Sequence, residues 1–519
     1  MSDQLSHVVP TRRRSTNKSK PQIQTNDRQL CDVSADCLQA LLKANDPPVL
    51  FIRAGEIVRV AADENEHKRI VSVSASYLCG SLSRVANFFN IYGQGKRVPA
   101  NPPGSAVADL LARSSEWGLG LPPLVAISEV PLLRADGSVV LEPGYDPALR
   151  VVYCPSAGLT IPPIPPRPTV RDAELAVLTI EEAIAEFPWD DYPSRANCFA
   201  LLVTPIIRGL IDGCVPLALL DANRAGSGKG LIAEVLARIH TGCAAPVGTA
   251  PESNDEAEWR KRITGIVRDG NSLAILDNIE TTLKSANLAA AITGRTWTDR
   301  VLGKSQTITL PQRVVFVATG NNLVLGGDLP RRCFRIRLDA KMSRPWERTF
   351  RHSNLTGWVL ENRGTLLAAL LCMASAWFAA GCPAPATPSI GGFQEWAEVV
   401  GGILAYAGVE GFLENREDVY ATDPAETQWH GFLTRIRSVF GDSSFTIKQL
   451  LKIEPMGIGP LSDAFPDDLE QARSKGNVRS IGHAFLRRIG TRFGDEGLHL
   501  VRAGEHRTGV SAWRVEVGS

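Results

Sequence analysis

The sequence lacks the cysteine spacing of a zinc protein or of a disulfide-stapled protein. Its 10 cysteines form no C-x-x-C pair, and its 8 histidines are scattered along the chain. This pattern argues against a structural zinc site and a disulfide framework, and it fits a reducing cytosol.

Long apolar runs and an excess of one charge are also missing. The longest apolar run, residues 366–381, is shorter than the ~20 residues that span a bilayer, so we expect a buried helix and no membrane contact. The polar, basic N-terminus has no apolar segment typical of a signal peptide, which predicts a cytoplasmic protein. Because 56 basic residues face 55 acidic ones, any surface that binds nucleic acid must be local.

The chain is long enough for about three domains, and changes in residue pattern along it predict where their boundaries lie. Short apolar segments separated by turns give way to a proline-rich stretch, IPPIPPRP, and then to strands alternating with helices, which is typical of a parallel α/β sheet. The predicted units are a disordered basic tail (1–28), an N-terminal α+β domain (29–160), a proline-rich linker (161–171), an α/β core (172–343), a helical unit (344–440) and a basic C-terminal unit (441–519).

A glycine-rich loop follows the first apolar strand of the core, within LLDANRAGSGKGLIAEV. It departs from the phosphate-loop pattern G-x-x-x-x-G-K-[ST], since Asn223 replaces the first glycine and Gly230 replaces the hydroxyl residue. Glycines allow close approach of backbone N–H groups to phosphate, and Lys229 would supply the charge. A simple glycine-rich turn is the alternative. The predicted nucleotide contacts are Asn223, Ala225, Gly226, Ser227, Gly228, Lys229, Gly230 and Leu231.

Polar residues follow the next strands in the order that an ATPase needs. Asp277 ends the strand SLAILDNI, where a carboxylate can hold the water shell of Mg²⁺. Asn321 and Asn322 end RVVFVATGNN and could orient the attacking water, whereas Arg331 and Arg332 suit a finger that reaches a neighbouring subunit. A capping aspartate and a turn-forming Asn-Asn pair are the structural alternatives.

This order of motifs resembles AAA+ ATPases. More narrowly, it is similar to the MCM-like replicative helicases of mobile genetic elements such as staphylococcal cassette chromosomes and pathogenicity islands, with relatives in phages and plasmids. GYDPALRVVY also resembles the amino-terminal parts of phage and plasmid replication proteins. The matching stretches, which cover about 200 to 440, are ANRAGSGKGLIAEVLA, EAEWRKRITGIVRDGNSLAILDNIE, WTDRVLGKS, FVATGNNL, DLPRRCFRIRLD and GGFQEWAEVVGGILAYAG.

The resemblance implies ATP and Mg²⁺ as cofactors, a homo-hexamer and a helical lid over 344–440. It makes Lys229 the Walker A lysine, Asp277 the Walker B aspartate that serves the metal, and Asn321 or Asn322 sensor 1. Arg331 or Arg332 becomes the finger acting in trans, and Arg363 becomes sensor 2 in the lid.

One position departs from the family pattern. Many AAA+ proteins carry a catalytic glutamate directly after the Walker B aspartate, and here Asn278 stands there. Glu280 and Glu258 are the candidates to supply the carboxylate. Alternatively, Glu280 favours a helix start through the helix dipole, and Glu258 is a solvated helix charge.

Two basic features predict contacts with DNA. WTDRVLGKSQTITLPQ reads as a β-hairpin, which in related ring helicases lines the central pore, with Lys304 at its tip and Arg300 beside it. A lysine that keeps a sheet edge soluble is the alternative.

The C-terminal unit reads as a winged helix, with three helical segments followed by a hairpin. Its third helix and wing concentrate positive charge that can neutralise the phosphates of duplex DNA. A protein-interaction module with a solvated helix is the alternative. The residues concerned are Arg479, Arg487, Arg488, Arg492 and Arg507.

The combined prediction is an ATP-dependent DNA helicase or translocase that acts in replication of a phage or mobile element. Its fold would be an AAA+ P-loop core with a parallel sheet, a small α+β N-terminal domain, a helical lid and a winged helix. One rival is a nucleotide-gated, origin-binding initiator or loader that does not unwind DNA. The other is a small-molecule phosphotransferase, which only the G-x-G-K-G string favours.

Overall fold

The computed structural model describes most of the chain. The described residues are 20–64, 66–115, 119–245, 247–251, 255–300, 307–385, 390–420, 424–453, 461, 464–494, 496–505 and 510–518.

The amino-terminal part alternates helices with short strands. Its elements are β1 Gln22–Gln24, α1 Leu30–Ala44, β2 Phe51–Arg53, β3 Glu56–Ala62, β4 Lys68–Ser72, α2 Ala75–Val85, β5 Asn87–Tyr92, β6 Lys96–Ala100, α3 Gly104–Ala112, β7 Ala126–Ser128, β8 Leu132–Leu133, β9 Val139–Val140, β10 Gly144–Asp146 and β11 Val151–Tyr153. Within the tail predicted over 1–28, residues 22–24 form a strand, because Ile23 is buried and pairs with Phe88 of β5.

The central part alternates strands with longer helices. Its elements are α4 Val170–Ile184, α5 Tyr192–Ile207, β12 Leu217–Ala222, α6 Lys229–Thr241, β13 Val247–Thr249, α7 Glu256–Asp269, β14 Leu273–Ile279, α8 Ala286–Thr293, β15 Thr296–Arg300, β16 Thr307–Pro311, β17 Val315–Asn321 and β18 Cys333–Leu338.

Helices dominate the rest of the chain. They are α9 Leu355–Glu361, α10 Arg363–Ala379, α11 Gln394–Tyr406, α12 Arg416–Tyr420, α13 Pro424–Phe440, α14 Ile447–Lys452, α15 Asp467–Ser474 and α16 Val478–Arg487, followed by the hairpin of β19 His499–Glu505 and β20 Ser511–Glu516. The apolar run at 366–381 lies in α10, and no helix of the described residues is long and apolar enough to cross a membrane.

A five-stranded sheet in the order β13-β14-β17-β12-β18 organises the central part. Every neighbouring pair in it is parallel, which confirms the predicted parallel α/β sheet. Strands β12 and β17 at its centre are largely apolar and nearly all of their residues are buried, as expected of strands covered on both faces. Because all five strands run in one direction, the loops that leave their carboxyl ends meet at one edge of the sheet.

Two apolar cores cover the two faces of this sheet. On one face, α4, α5, α6, α10 and α11 share a core with the sheet. On the other face lie α7, α8 and the β15–β16 hairpin, whose Trp297 donates a hydrogen bond from Nε1 to Thr264 of α7 at 2.8 Å. Helices on both faces are what a parallel sheet requires to exclude water from its strands.

Helix α13 shares its apolar core with the C-terminal elements. Trp429 and Phe432 on α13 are fully buried in one core with Phe485 of α16 and Trp513 of β20. The boundary predicted at residue 440 therefore divides a continuous core.

A buried carboxylate ties the carboxyl edge of the sheet together. Asp221 of β12 is 0% exposed and accepts hydrogen bonds from Arg335 Nε at 3.0 Å and from Arg337 at 2.7 Å, both on β18. Its other oxygen accepts the backbone N–H of Leu323, just after β17, at 3.0 Å. One side chain thus connects three adjacent strands.

We predict that Asp221→Asn destabilises the α/β unit by about 3–5 kcal/mol, because two guanidinium groups lose the buried charge that compensates them. Urea denaturation followed by tryptophan fluorescence measures this loss. The matched control is Asp212→Asn, whose side chain is 69% exposed in its pairs with Arg295 and Arg313. The control should cost less than about 1 kcal/mol. Equal losses in the two variants would contradict the special position of Asp221.

Candidate functional site

The glycine loop joins the end of β12 to the start of α6. Gly226 has φ +80° and Gly228 has φ +109°, in the left-handed region that favours glycine. A Cβ on Gly226 would lie 3.1 Å from the Trp346 ring, and one on Gly228 would lie 3.1 Å from the Phe187 ring. The loop therefore needs glycine for conformation and for space. Its backbone leads into the N-terminus of a 13-residue helix, where free N–H groups favour anions.

Lys229 is the first residue of α6, and its ammonium group contacts the end of a neighbouring strand. Nζ donates to Oδ1 of Asn321 at 2.5 Å. Burial lowers the pKa of Lys229, and the carboxylates of Asp221 and Asp277 oppose that shift. The charge thus lies where the loop, β14 and β17 come together.

Asp277 is held at the end of β14 by an irregularity in the strand pairing. The register between β14 and β17 shifts after Leu276, and Asn278 adopts φ +55°. Thr319 of β17 fills the irregularity: its hydroxyl donates to Asp277 Oδ1 at 2.5 Å and accepts the Asn278 N–H at 3.1 Å. Sequence reasoning missed Thr319, although a polar residue inside an apolar strand was the available signal.

The two asparagines at the end of β17 have different hydrogen-bond partners. Asn321 contacts Lys229, whereas Asn322 has φ +47° and donates its backbone N–H to the carbonyl of Ala222 at 2.9 Å. The Asn322 side chain accepts from Arg337 at 3.2 Å. Of the two predicted candidates, the structure brings Asn321 to the lysine and uses Asn322 to brace the loop.

The departures from the usual loop sequence have structural explanations. Asn223, in place of the first glycine, donates from Nδ2 to Asp339 Oδ1 at 2.6 Å and so ties the loop to the end of β18. Ser227 is buried and donates to the carbonyl of Arg224 at 2.8 Å, while Ala225 is exposed. A Cβ on Gly230 would meet no atom within 4 Å. The space for a hydroxyl residue therefore exists.

A cavity of about 300 Å³ lies beside the loop. Leu231, on the first turn of α6, and Phe187, which packs on Gly228, form part of its wall. Phe350 and Leu355 add further apolar surface. Glu182 and Glu186 contribute carboxyl groups to the wall, and His352 contributes an imidazole group. Sequence reasoning assigned only Leu231 to this region. Phe187 and Trp346 were missed because they come from segments distant in sequence.

The two candidate glutamates lie in different surroundings. Glu280 is exposed three residues after the half-buried Asp277, and it accepts a hydrogen bond from Asn278 Nδ2 at 2.8 Å. Glu258 pairs with Lys261 on α7 at 2.5 Å, and both side chains are about half exposed. The structure shows Glu258 as a solvated helix charge in the single chain.

The paired arginines before β18 also differ. Arg331 pairs with Asp328, and its side chain is 59% exposed. Arg332 is only 15% exposed and donates to the carbonyl of Ala289 and the hydroxyl of Thr293 on α8. Arg331 is therefore the one available to another molecule, while Arg332 anchors α8.

Arg363 does not lie near the glycine loop. It is 3% exposed, and its guanidinium donates to the carbonyls of Ile239 at 2.8 Å and His240 at 3.3 Å, at the last turn of α6. A helix of 13 residues is about 20 Å long, so this is the far end from Lys229. There a cation compensates the free carbonyls and the negative end of the helix dipole. This placement does not support the expected sensor 2 role.

The structure describes some of the residues predicted to contact DNA and not others. Arg300 is exposed at the end of β15, opposite Thr307 of β16, and Lys304 lies outside the described residues. Arg507 also lies outside them. Arg479, Arg487 and Arg492 are exposed on or just after α16. Arg488 instead lies 4.3 Å above the Trp429 ring and pairs with Asp468 at 2.6 Å, so it stabilises the C-terminal core.

Comparison with known proteins gives only distant likenesses. No protein-family model matches the chain, and no curated protein matches it. Among solved structures, the apo C-terminal region of NrS-1 covers 93% of this chain and 99% of its own, at 13% identity and a TM-score of 0.40. SCCmec type IV Cch, described as an active helicase, covers 90% of this chain and 93% of its own, at 9% identity and a TM-score of 0.36. Likeness at these TM-scores does not establish a shared fold.

We predict that Arg363→Met destabilises the protein by about 2–4 kcal/mol, because carbonyls at the end of α6 lose a charged donor in a buried position. Urea denaturation measures the loss. Nucleotide affinity of the folded variant should stay within about twofold of the parent, because the guanidinium lies at the far end of α6. An unchanged stability together with a tenfold weaker affinity for nucleotide would instead restore the sensor role.

Proposed function

We propose that the protein is an ATP-driven motor that acts on DNA, a helicase or translocase serving replication of a phage or other mobile genetic element. The observation that carries the proposal is the contact between Lys229 and Asn321, beside Asp277 and a loop with two left-handed glycines. A lysine at the start of a helix, with an amide and a carboxylate at the ends of two neighbouring strands, supplies the groups that phosphoryl transfer from a nucleotide requires.

Nucleotide binding follows from the chemistry of the loop. Backbone N–H groups at the start of α6 would surround the β-phosphate, and Lys229 would leave Asn321 to contact the β- and γ-phosphates. The adjacent apolar cavity, with Phe187 and Leu231 in its wall, suits a nucleotide base. The described residues contain no group of three or more metal-ligating side chains, so Mg²⁺ would depend on Asp277, water and phosphate oxygens.

Hydrolysis needs a group that orients water and a cation that stabilises the transition state. In this proposal Asn321 would orient the water once Lys229 has turned to phosphate, and Glu280, three residues after Asp277, would be the general base. Arg331 is exposed and can reach the γ-phosphate of a neighbouring subunit. Such a shared site implies a ring, which we propose to be a homo-hexamer.

DNA would contact the protein in two places. The β15–β16 hairpin packs on α7, and we propose that Arg300 at the end of β15, with Lys304 from the sequence between the two strands, contacts a strand in the centre of a ring. Arg479, Arg487 and Arg492 give α16 and the chain after it a positive surface for duplex phosphates.

One observation keeps the nucleotide-gated initiator as a second candidate. Asn278 occupies the position after Asp277, and its left-handed backbone turns it toward Glu280. If Glu280 cannot activate water, the protein would bind ATP and DNA without steady hydrolysis. ATPase activity of Glu280→Gln, compared with Glu258→Gln, separates the two candidates.

The missing hydroxyl should matter less than the glycines. Gly228→Ala places a Cβ at φ +109° against Phe187, so we expect ATP affinity to fall at least tenfold. Gly230→Ala enters open space on a helix and should keep affinity within about twofold. Isothermal titration with ATP and Mg²⁺ measures both variants. Loss of binding in both, or in neither, would contradict the proposed path of the phosphates.

Active sites shared between subunits can be tested by mixing. Lys229→Ala and Arg331→Ala should each abolish most of the ATPase activity stimulated by single-stranded DNA. Mixed subunits should regain activity, because some interfaces then combine an intact lysine with an intact arginine. Arg332→Ala serves as the control variant, since we expect it to act through stability. Absence of any recovery in stable mixed oligomers would refute an arginine acting in trans.

A further inference from the structure

The sheet β1-β5-β6 in the amino-terminal part has one covered face and one open face. Ile23, Phe88 and Ala100 lie side by side in register and point into the core formed with α1, α2 and α3. Because side chains alternate along a strand, the neighbouring residues point the other way. The open face is defined by Gln22, Gln24, Asn87, Phe89, Ile91, Arg97 and Pro99.

An aromatic ring and a guanidinium group occupy the middle of the open face. The Arg97 guanidinium lies 4.7 Å from the centroid of the Phe89 ring, reaching diagonally across the β5–β6 pair. Arg97 is exposed and Phe89 is partly exposed. The guanidinium of Arg97 and the partly exposed ring of Phe89 therefore form a surface on which another planar group can stack.

The charge of this sheet is of one sign. None of the residues of β1, β5 and β6 is acidic, whereas Lys96 and Arg97 are basic. The remaining polar groups of the open face are the side-chain amides of Gln22, Gln24 and Asn87, and those of Gln22 and Gln24 donate to the carbonyls of Lys20 and Asn26. The chain as a whole has nearly balanced charge, so this local bias is a feature of the sheet.

We propose that the open face binds single-stranded nucleic acid. Bases stack on aromatic rings and on guanidinium planes, at about 1–3 kcal/mol per base, and cations attract the backbone. Unpaired bases expose the faces that stacking needs, whereas a duplex hides them. The inference goes beyond the proposed motor, because it requires neither ATP nor the hairpin nor the C-terminal unit.

The size of the face favours this ligand over a second copy of the chain. Three strands of at most six residues cover about 300 Å², from ~3.3 Å per residue and ~4.8 Å between strands. A stable protein interface needs about 800 Å² per partner. A strip of this size accommodates a few nucleotides, and a charged residue at its centre opposes burial against a like copy.

The first measurement uses the full chain without nucleotide, by fluorescence anisotropy with labelled 20-mers of dT and of U. Arg97→Glu should weaken binding of at least one 20-mer about fivefold or more and reduce its salt slope by about one. Arg97→Lys should keep the salt slope and lose part of the affinity. The matched control Arg84→Glu, on exposed α2, should change little. Comparison of the dT and U series identifies DNA or RNA as the ligand.

The second measurement locates the contact. Oligonucleotides with 5-iodouracil, crosslinked by light to the full chain, should label the peptide that contains Phe89. The same label should persist in Lys229→Ala, which separates this site from the motor. Crosslinks confined to other peptides, with unchanged affinity in Arg97→Glu, would overturn the proposal. A changed oligomeric state in Arg97→Glu without loss of affinity would identify an interface between copies and would also overturn it.

Discussion

The carboxylate of Asp221 is fully buried at the carboxyl edge of the sheet, where two guanidinium groups and a backbone N–H converge on it. Removing such charges from water is costly, and a buried pair of this kind is a weak source of stability. The importance of the Asp221 carboxylate lies in the positions of the chain segments that it holds. It fixes β18 beside β12 and holds the chain after β17 against both, so the loops that leave these strands start from fixed points.

The candidate site follows from that constraint. Asn223, two residues after Asp221, and Asn322, next to its partner Leu323, brace the glycine loop from two sides. Segments before and after the sheet then close over it, through Phe187 on Gly228 and Trp346 on Gly226. Within the described residues, the side chain of Lys229 donates its hydrogen bond to the Asn321 amide, which a phosphate would replace in the proposed nucleotide complex. A neutral partner holds the lysine in place without neutralising it.

The sequence predicted the structure best where the pattern of neighbouring residues determines it. The apolar strands, the glycine loop between a strand and a helix, and the polar residues at strand ends all depend on neighbours in sequence. It failed where distant contacts decide. The sequence predicted Arg363 as a residue of the lid, whereas in the structure its partners are on α6. It predicted Arg488 as a DNA contact, whereas the guanidinium lies over the Trp429 ring. The strand over 22–24 and the position of α13 likewise depend on partners that no pattern within those segments reveals.

The central claim is that nucleotide chemistry at Lys229 drives movement on DNA. The most direct measurement is ATP-dependent unwinding of a forked DNA duplex, by the intact protein and by Lys229→Ala. The account predicts unwinding by the intact protein that disappears in the variant while DNA binding persists. An intact protein that binds ATP and DNA, yet neither hydrolyses nor unwinds, would contradict the motor and leave a nucleotide-gated initiator.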